Sequence, residues 1–459
     1  MRQKFDIKSQ AGFTEGDVNF SPQRKEWAKT HIDPKTQKLL EDDAQFFLHQ
    51  SLSSPCLNVI NKSEGIYIED IQGRKIMDFH GNSVHQVGHG HPKVVNAIKA
   101  QLDQLPFCPR RYTNQTAIDL ASKLAGLAPG NLNKMLFAPG GTNAIGMALK
   151  LARYATGQHK TISMWDSFHG ASLDAISIGG ESLFRKDVGP LMPGSEHIPP
   201  PRRGKCHFNC PNENHDGCIE YLKYVVEMEG DIGALIAEPM RWTTVELPPK
   251  NYWKRVRSIC DENDILLIFD EVITGFGRTG ERFGSDAFGV VPDIMNLAKT
   301  LTNGAVPMGA VLVKDEIYQA FVDESAPDHL IGFPHGYTYT GHPVGCAAAL
   351  VALDIFDRED MPGRVRTLAP TFENTLHALR GERHVVDVRN FGLAGAIQIE
   401  PRDSDPLVRP YELGLACWNQ GLYVRWGGDT LQFAPPFVST VDDIEQMGEI
   451  LRLALKKVS

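Results

Sequence analysis

Ile265-Leu-Leu-Ile-Phe269 is followed directly by Asp270-Glu-Val-Ile-Thr-Gly-Phe-Gly-Arg278, and this stretch decides the fold class. Its five consecutive apolar residues, 265–269, predict a short buried strand. Asp270 then brings a carboxylate to the end of that strand. A buried charge is costly unless it has a partner. Because ligands of open α/β sheets bind outside the carboxyl ends of the strands, we expect Asp270 to face a ligand.

Helical patterns alternate with short apolar runs on the N-terminal side of this stretch. The alternation begins near residue 115 and is typical of an α/β fold with a mostly parallel central sheet. Predicted strands span 135–138, 161–164, 234–237 and 265–269, and predicted helices span 117–127, 144–156, 218–229 and 252–263.

The two ends of the chain predict a second, smaller α+β domain. Residues 65–79 alternate apolar and polar around Gln72-Gly73, which predicts a hairpin. After about residue 350 the predicted elements are a helix, 346–356, and strands over 385–388, 395–399 and 422–425. We therefore predict an N-terminal segment that joins the small domain, a large cofactor-binding domain, and a C-terminal small domain, over 1–80, 81–345 and 346–459. Residues 189–217 are predicted to be irregular.

The composition argues against several function classes. The net charge of −9 gives no support for binding to nucleic acid or to an anionic membrane. The sequence contains no apolar run of 18 residues, so no membrane span is expected. Eight cysteines in 459 residues do not indicate a disulfide framework, and the N-terminus lacks an apolar signal core. We therefore expect a cytoplasmic protein.

Lys299 lies 29 residues after Asp270, within Asn296-Leu-Ala-Lys-Thr-Leu-Thr-Asn-Gly304. A buried aspartate and a buried lysine together are what an enzyme that uses pyridoxal 5'-phosphate (PLP) needs. The lysine forms a Schiff base with the cofactor aldehyde, and the carboxylate keeps a proton on the ring nitrogen. Two alternatives stay open on these residues alone: a surface lysine, and an aspartate that caps the following turn.

Two further loops follow predicted strands. Ala138-Pro-Gly-Gly-Thr-Asn143 precedes a helix, so Gly141 and Thr142 are candidate phosphate ligands. The alternative is a tight turn without a ligand. Phe168, in Asp166-Ser-Phe-His-Gly170, could stack on a planar ring or belong to the core. Glu238-Pro239 ends a third strand and favours a shared cleft.

Residues 55–450 resemble the class III (subgroup II) aminotransferases, which are PLP enzymes of fold type I. The most specific match is Leu267-Ile-Phe-Asp-Glu-Val-Ile-Thr-Gly-Phe-Gly-Arg-Thr-Gly280 together with Lys299. The supporting matches are Gly88-His-Gly-His-Pro92, Gly141-Thr142, Phe168-His-Gly170, Ala237-Glu-Pro239 and Tyr337-Thr-Tyr-Thr-Gly-His-Pro343.

The resemblance implies roles for these residues. Lys299 would carry the cofactor and move protons, while Asp270 would pair with the ring nitrogen. Val272 and Phe168 would pack on opposite ring faces, and Glu238 would be the gate residue near the substrate. Gly141 and Thr142 would hold the phosphate with Thr338 of the neighbouring subunit. The last role implies a homodimer with shared active sites, and a tetramer is also compatible.

One position departs from the family pattern. Many relatives have an arginine two residues before the Ala-Pro-Pro stretch near the C-terminus, and this chain has Gln432. A neutral amide lacks the charged fork that binds a carboxylate, which argues against a 2-oxoglutarate-type acceptor. Arg425 resembles the mobile arginine of ω-amine transaminases. Arg110, Arg111 and Arg241 are further candidates, so we expect a small anionic amine substrate.

The sequence leaves three candidate reactions open. Residues 193–206 and 238–244 resemble a subgroup of ammonia-lyases that act on (R)-1-hydroxy-2-aminoethylphosphonate, in phosphonate catabolism. Such an elimination needs no keto acid and releases phosphonoacetaldehyde and ammonia, which agrees with Gln432. The alternatives are an ω-aminotransferase that uses pyruvate or another keto acid, and a phospholyase acting on O-phosphoethanolamine. A non-catalytic binding protein would be expected to lack Lys299 or Asp270.

Cys206-His-Phe-Asn-Cys210 and His215-Asp-Gly-Cys218 place three cysteines and two histidines close together in the sequence. Three thiolates and one imidazole can bind structural zinc. The spacing lacks the second tight pair of a zinc finger, and the alternative is a surface loop with reduced thiols. The site residues predicted from the sequence therefore include no metal ligand.

Overall fold

A computed structural model describes residues 22–50, 56–202, 206–210, 216–320, 322, 332–402 and 407–458. The chain forms two compact units, each built from separate segments. The smaller unit comprises the described residues within Met1–His91, Thr243–Val245 and Arg364–Ser459, and the larger comprises those within Pro92–Trp242 and Glu246–Gly363. The assignment of cofactor binding to residues 81–345 stays a prediction.

The described parts of the chain contain strands and helices throughout. The strands are β1 (Ile60–Glu64), β2 (Tyr67–Asp70), β3 (Lys75–Asp78), β4 (Lys134–Ala138), β5 (Lys160–Met164), β6 (Ser195–Ile198), β7 (Ile232–Ala237), β8 (Leu266–Asp270), β9 (Ile294–Leu297), β10 (Gly309–Val313), β11 (Val385–Phe391), β12 (Ala394–Ile399), β13 (Leu422–Tyr423), β14 (Arg425–Gly427) and β15 (Thr430–Phe433). The helices are α1 (Pro22–His31), α2 (Pro34–Phe46), α3 (Pro92–Gln104), α4 (Gln115–Leu127), α5 (Gly141–Thr156), α6 (Leu173–Ile178), α7 (Ser182–Arg185), α8 (Asp216–Glu229), α9 (Tyr252–Glu262), α10 (Gly284–Phe288), α11 (Asp315–Gln319), α12 (Pro343–Arg358), α13 (Met361–His377), α14 (Val408–Trp418) and α15 (Val441–Leu455).

The larger unit is built on a seven-stranded sheet with the order β4-β10-β9-β8-β7-β5-β6. Strands β9, β8, β7, β5 and β6 are parallel, and β10 is antiparallel to both β4 and β9. The prediction of an α/β fold with a mostly parallel sheet is confirmed. The antiparallel β10 was not predicted.

Apolar side chains on both faces of the central strands explain why helices cover the sheet on two sides. Leu235 and Leu267 pack in a cluster with residues of α8 and α9, such as Leu222 and Val256. Ile236 and Ile268, one position further along, pack with α5 on the other face. A strand buried on both faces has a continuous apolar sequence, which is why β7 and β8 were recognised.

Two predictions about strands were wrong. Residues 189–217 were predicted to be irregular, but β6 lies there and pairs in parallel with β5 at the edge of the sheet. Its sequence, Ser195-Glu-His-Ile198, offers only one fully buried apolar residue, so no apolar pattern marks it. The predicted strand over 422–425 is broken at Val424, because β13 pairs with β3 and β14 pairs with β15 in a different sheet.

The smaller unit contains two four-stranded sheets, β1-β2-β3-β13 and β11-β12-β15-β14. The predicted hairpin is confirmed, since β2 and β3 pair antiparallel with Tyr67 opposite Met77. Strand β13 adds to this hairpin in parallel. None of the helices in the described residues is long and apolar enough to cross a membrane.

His197 on β6 is expected to make the folded state sensitive to mild acid. Burial, with the charge of Arg185 next to it, lowers the pKa of His197 from 6.5 to about 4. The unfolded chain therefore binds the proton first, and stability present above pH 6.5 is lost as the pH falls towards 4. Because the ring is only partly buried, we expect a loss of about 2 kcal/mol in unfolding free energy.

Urea unfolding of the wild type and of His197→Gln at several pH values between neutral and mildly acidic measures this effect. The difference in unfolding free energy between the wild type and His197→Gln should change by about 2 kcal/mol over this pH range, because the wild type loses more stability in acid. His49→Gln, at an exposed histidine, is the matched control and should follow the wild type. Parallel curves for wild type and His197→Gln would contradict the prediction.

Candidate active site

Asp270 and Lys299 lie at the same edge of the large sheet. Asp270 is the last residue of β8, and it pairs with Asn296 of the parallel strand β9. Lys299 follows β9 after one residue and begins a short 3-10 helix, Lys299–Thr302. Its φ of +49° is unusual for a residue with a side chain, and such backbone strain is concentrated at functional positions. The lysine is partly buried.

The carboxylate of Asp270 is buried and held from two sides. One oxygen lies 2.7 Å from Nδ1 of His169, and the other accepts the backbone N–H of Val272 at 3.1 Å. His169 is itself buried, and its Nε2 atom has no hydrogen-bond partner among the described residues. Carboxylate oxygens can accept further bonds, so Asp270 retains capacity for a ligand N–H.

The sequence did not predict the role of His169. The residue stands within Phe168-His-Gly170, which was recognised only for its phenylalanine. The available signal was its place directly after a predicted strand, next to a candidate ring-stacking residue.

Gly141 lies where three functional segments meet. A Cβ atom at Gly141 would lie 3.3 Å from Cβ of Ala298 and 3.3 Å from Cγ2 of Val272. The loop that contains Gly141 is thus in contact with Ala298, which precedes Lys299. It also contacts Val272, which is predicted to pack on one face of the cofactor ring. Gly141 also begins α5, whose 16 residues direct the positive end of the helix dipole and unbonded N–H groups to this point.

Thr142 and Phe168 belong to the same group of segments. A Cβ atom at Gly170 would clash with Oγ1 of Thr142, so the loop after β5 contacts the start of α5. Phe168 packs against Phe184 with a centroid distance of 5.1 Å and remains partly exposed. The structure therefore brings together the segments that carry Gly141, Thr142, Phe168, Asp270, Val272 and Lys299.

Glu271 fixes the turn between Asp270 and Val272. Its buried carboxylate accepts the hydroxyl of Thr274 and the backbone N–H groups of Gly284 and Ser285, at 2.5, 2.8 and 2.6 Å. Burial raises the pKa of Glu271, although these hydrogen bonds oppose the shift. Because three hydrogen bonds fix Glu271, they also fix the backbone positions of Asp270 and Val272.

Glu238, the predicted gate residue, is bound to Arg241. Oε1 of Glu238 lies 2.8 Å from Nη1 of Arg241 and 3.4 Å from the N–H of Phe168. Nη2 of Arg241 lies 2.7 Å from Glu181, a buried carboxylate that the sequence did not single out. Because two carboxylates already bind this guanidinium, its geometry favours holding Glu238 over binding a substrate anion.

Replacing Arg241 with alanine is expected to lower the free energy of unfolding by about 3–5 kcal/mol, since two largely buried carboxylates would lose their partner. Urea unfolding monitored by tryptophan fluorescence measures the change. Lys134→Ala breaks an exposed pair with Asp315 and should cost less than about 1 kcal/mol. Equal losses in the two variants would refute the buried role of Arg241.

The other predicted residues of the larger unit are exposed. Arg110 and Arg111 lie at the surface, and neither side chain forms an ion pair with a described residue. Thr338 is also exposed in the single chain. Exposure is compatible with the predicted reach of Thr338 into a neighbouring subunit, and that role stays a prediction.

Arg425 and Gln432 form a pair within the smaller unit. They lie directly opposite each other on the antiparallel strands β14 and β15. Directly opposed residues project on the same face of a sheet, so the two side chains are neighbours. Gln432 is completely buried, and neither amide atom has a hydrogen-bond partner among the described residues. A buried amide without partners is costly, and such groups call for a functional explanation.

The larger unit has the features that a PLP enzyme of fold type I requires. The buried Asp270 can accept a ring N–H, the start of α5 can hold a phosphate, and Lys299 lies at the same strand ends. The residues therefore fit pyridoxal 5'-phosphate, which is the cofactor of this protein.

Comparison with known proteins gives the family. The aminotransferase class-III family model matches residues 49–455, and the chain belongs to this family. The (R)-1-hydroxy-2-aminoethylphosphonate ammonia-lyase of Vibrio splendidus (strain 12B01) is 41% identical over 466 residues, which cover 97% of this chain and 95% of the relative. The omega-amino acid–pyruvate aminotransferase of Pseudomonas putida is 41% identical over 414 residues, covering 87% and 92%.

Solved structures agree with the fold. An amine transaminase from an uncultivated Pseudomonas species, in its PLP-bound form, superposes with a TM-score of 0.85 at 33% identity and covers 90% of this chain and 99% of that one. The omega transaminase of Pseudomonas jessenii in complex with PMP gives a TM-score of 0.86 at 28% identity, covering 91% and 98%.

Proposed function

We propose that this protein is a PLP-dependent ammonia-lyase that converts (R)-1-hydroxy-2-aminoethylphosphonate to phosphonoacetaldehyde and ammonia. The single observation that carries the proposal is Gln432, a neutral and buried amide at the position where the family resemblance implies a carboxylate-binding arginine in many aminotransferases. Similarity to the Vibrio splendidus ammonia-lyase over 97% of the chain supports it.

An elimination agrees with a neutral residue at this position. An aminotransferase must bind a keto acid in its second half-reaction, and a charged arginine fork suits that carboxylate. A lyase has no second half-reaction. It needs a cation only for the anionic group of its own substrate, for which Arg425 is our candidate from the family resemblance. Arg110 and Arg111 are further candidates.

When bound, the cofactor supplies a carbonyl that captures the amine and a ring that accepts electrons. Asp270, held by His169, would keep a proton on the ring nitrogen. Nζ of Lys299 takes the proton from C2 of the substrate and returns it to the departing hydroxyl oxygen on C1. The C1–O bond would break and water would leave. C1 would then take up a proton as the nitrogen gives one up, and one water molecule would add at C2 as the C2–N bond breaks. The net products are phosphonoacetaldehyde and ammonia.

An assay without a keto acid tests the proposal directly. Purified holoenzyme should release ammonia and phosphonoacetaldehyde from (R)-1-hydroxy-2-aminoethylphosphonate over many turnovers, and added pyruvate should not raise the rate. Turnover that appears only with pyruvate would refute the lyase proposal. Phosphate release from O-phosphoethanolamine, without turnover of the hydroxyphosphonate, would replace it with a phospholyase.

An ω-aminotransferase is the second candidate. It is favoured by the beta-alanine–pyruvate aminotransferase of Pseudomonas aeruginosa, which is 42% identical over 87% of this chain. This activity would appear as alanine formation from pyruvate and an amine donor. The pyruvate arm of the assay above therefore separates the two functions.

We also propose a cytoplasmic homodimer in which Thr338 of each subunit serves the other's phosphate site, with a tetramer as the alternative assembly. None of the eight cysteines, all within the described parts of the chain, forms a disulfide, which agrees with a reducing compartment. Sedimentation velocity at micromolar concentration should give twice the chain mass of 50.8 kDa, and a monomer would contradict the shared site.

A further inference from the structure

Three cysteines of the larger unit converge on one point outside the candidate active site. Sγ of Cys206 lies 3.1 Å from Sγ of Cys210 and 3.4 Å from Sγ of Cys218. All three sulfur atoms lie within 4.8 Å of one another. They come from two separate segments, since Cys206 and Cys210 precede α8 and Cys218 is its third residue.

We propose that Cys206, Cys210 and Cys218 bind one structural zinc ion through three thiolates. Tetrahedral zinc with Zn–S distances of about 2.3 Å separates its sulfur ligands by roughly 3.8 Å. The observed separations of 3.1 and 3.4 Å need to widen by about 0.7 and 0.4 Å to reach this distance. A disulfide would require a separation of about 2.05 Å and would use only two of the three sulfurs.

Backbone N–H groups point at two of the sulfur atoms. The N–H of Phe208 donates to Sγ of Cys206 at 3.4 Å, and the N–H of Gly217 donates to Sγ of Cys210 at 3.2 Å. Such bonds stabilise a thiolate, which is the form that binds metal. Gly217 is needed for this approach, because a Cβ atom there would lie 2.9 Å from Phe208 and 3.1 Å from the sulfur of Cys210.

The position of the three cysteines, between β6 and the first turn of α8, indicates which segment a zinc ion would stabilise. Cys218 belongs to the apolar cluster beneath α8 and α9, and Cys206 packs on the edge of this cluster. The chain between β6 and α8 has little apolar material of its own, and Arg202 fastens its first part through Asp166 and Glu246, at 2.5 and 3.0 Å. Zinc would fasten the second part to the start of α8. Asp166 lies two residues before Phe168, so the fastened segment adjoins the candidate active site.

Tetrahedral zinc needs a fourth ligand in addition to the three thiolates. Of the two imidazoles that the sequence places near the thiols, His215 lies outside the described residues, and His207 is described. A water molecule or an imidazole in this position satisfies zinc equally well. The proposal rests on the three thiolates alone, and it does not depend on the proposed function.

Metal analysis of the purified holoenzyme tests the inference. After incubation with one equivalent of zinc and desalting, the wild type should retain about one zinc ion per chain. Cys210→Ser, at a partly exposed cysteine, should lower the retained zinc roughly tenfold. The matched control, Cys56→Ser, removes a partly buried thiol of the smaller unit and should retain the wild-type zinc content. Cofactor absorbance, measured in parallel, should be present in all three proteins.

Cobalt substitution gives a second measurement that does not depend on the stability of the variants. Cobalt(II) in place of zinc should produce the strong visible bands of a tetrahedral site and a thiolate charge-transfer band. Less than a tenth of an ion retained by the wild type would overturn the proposal. So would equal retention by Cys210→Ser and Cys56→Ser, or a disulfide between Cys206 and Cys210 found by mass spectrometry without reductant.

Discussion

Lys299→Ala is expected to lower kcat for product formation by at least about 1,000-fold, whichever of the proposed reactions the protein catalyses. In the proposed reaction the amine of Lys299 would both hold the cofactor and move the proton at C2, and alanine can perform neither role. The visible absorbance of the lysine-bound cofactor should disappear, while the protein remains folded by circular dichroism. Rate and absorbance are measured on the same samples.

The matched control is Lys250→Ala, which removes an exposed lysine from the same unit. It should retain the rate and the absorbance of the wild type. An unchanged cofactor band in Lys299→Ala would assign the cofactor to another lysine. A rate within tenfold of the wild type would refute the proton-transfer role, since such roles contribute about 100- to 10,000-fold.

The position of Asp270 could be predicted from a pattern that local physics creates, whereas the role of Lys299 was implied by the family resemblance. A continuous apolar run marks a strand buried on two faces, and a charged residue at its end is conspicuous. Parallel pairing then brings the ends of β8 and β9 to one edge of the sheet. The glycine loop before α5 is recognisable for the same reason, since it joins a strand to a helix.

His169 shows why the remainder of the site was not predictable. It lies 101 residues from Asp270 in the sequence, and only the pairing of β5, β7 and β8 brings the two together. A histidine after a strand has no local signature that names its partner. Arg241 is a similar case, because its ion pair with Glu181 joins residues that lie 60 positions apart in the sequence.

Both errors in the fold arise because the hydrogen-bond pairing of strands is not encoded in the pattern of apolar residues. An edge strand such as β6 forms hydrogen bonds on one side only, so its sequence need not be apolar. The break at Val424 leaves the alternation of side chains intact, because Leu422 and Val424 are both buried. The chain changes sheets there, and hydrogen-bond partners leave no trace in a pattern of apolar residues.

Asp270→Asn is expected to lower kcat by about 100- to 1,000-fold, because it removes the negative charge that, in the proposed mechanism, keeps a proton on the ring nitrogen. Asparagine has the same shape, so the fold and the cofactor should be retained. Asp264→Asn is the matched control, since Asp264 is exposed and its φ of +53° is tolerated by asparagine. A rate within tenfold of the wild type for Asp270→Asn would refute the charge-based role.

His169 provides the sharper test, because its side-chain hydrogen bond is to Asp270. His169→Phe removes the hydrogen bond of 2.7 Å and should lower kcat by about tenfold in the wild type, whereas His169→Gln keeps an N–H donor and should lower it less. In the Asp270→Asn background the same changes should have little further effect, giving a coupling free energy of about 1.4 kcal/mol for His169→Phe. A purely structural histidine would instead give additive losses. The double-mutant cycle therefore decides whether the buried pair works as a unit that sets the charge at the ring nitrogen.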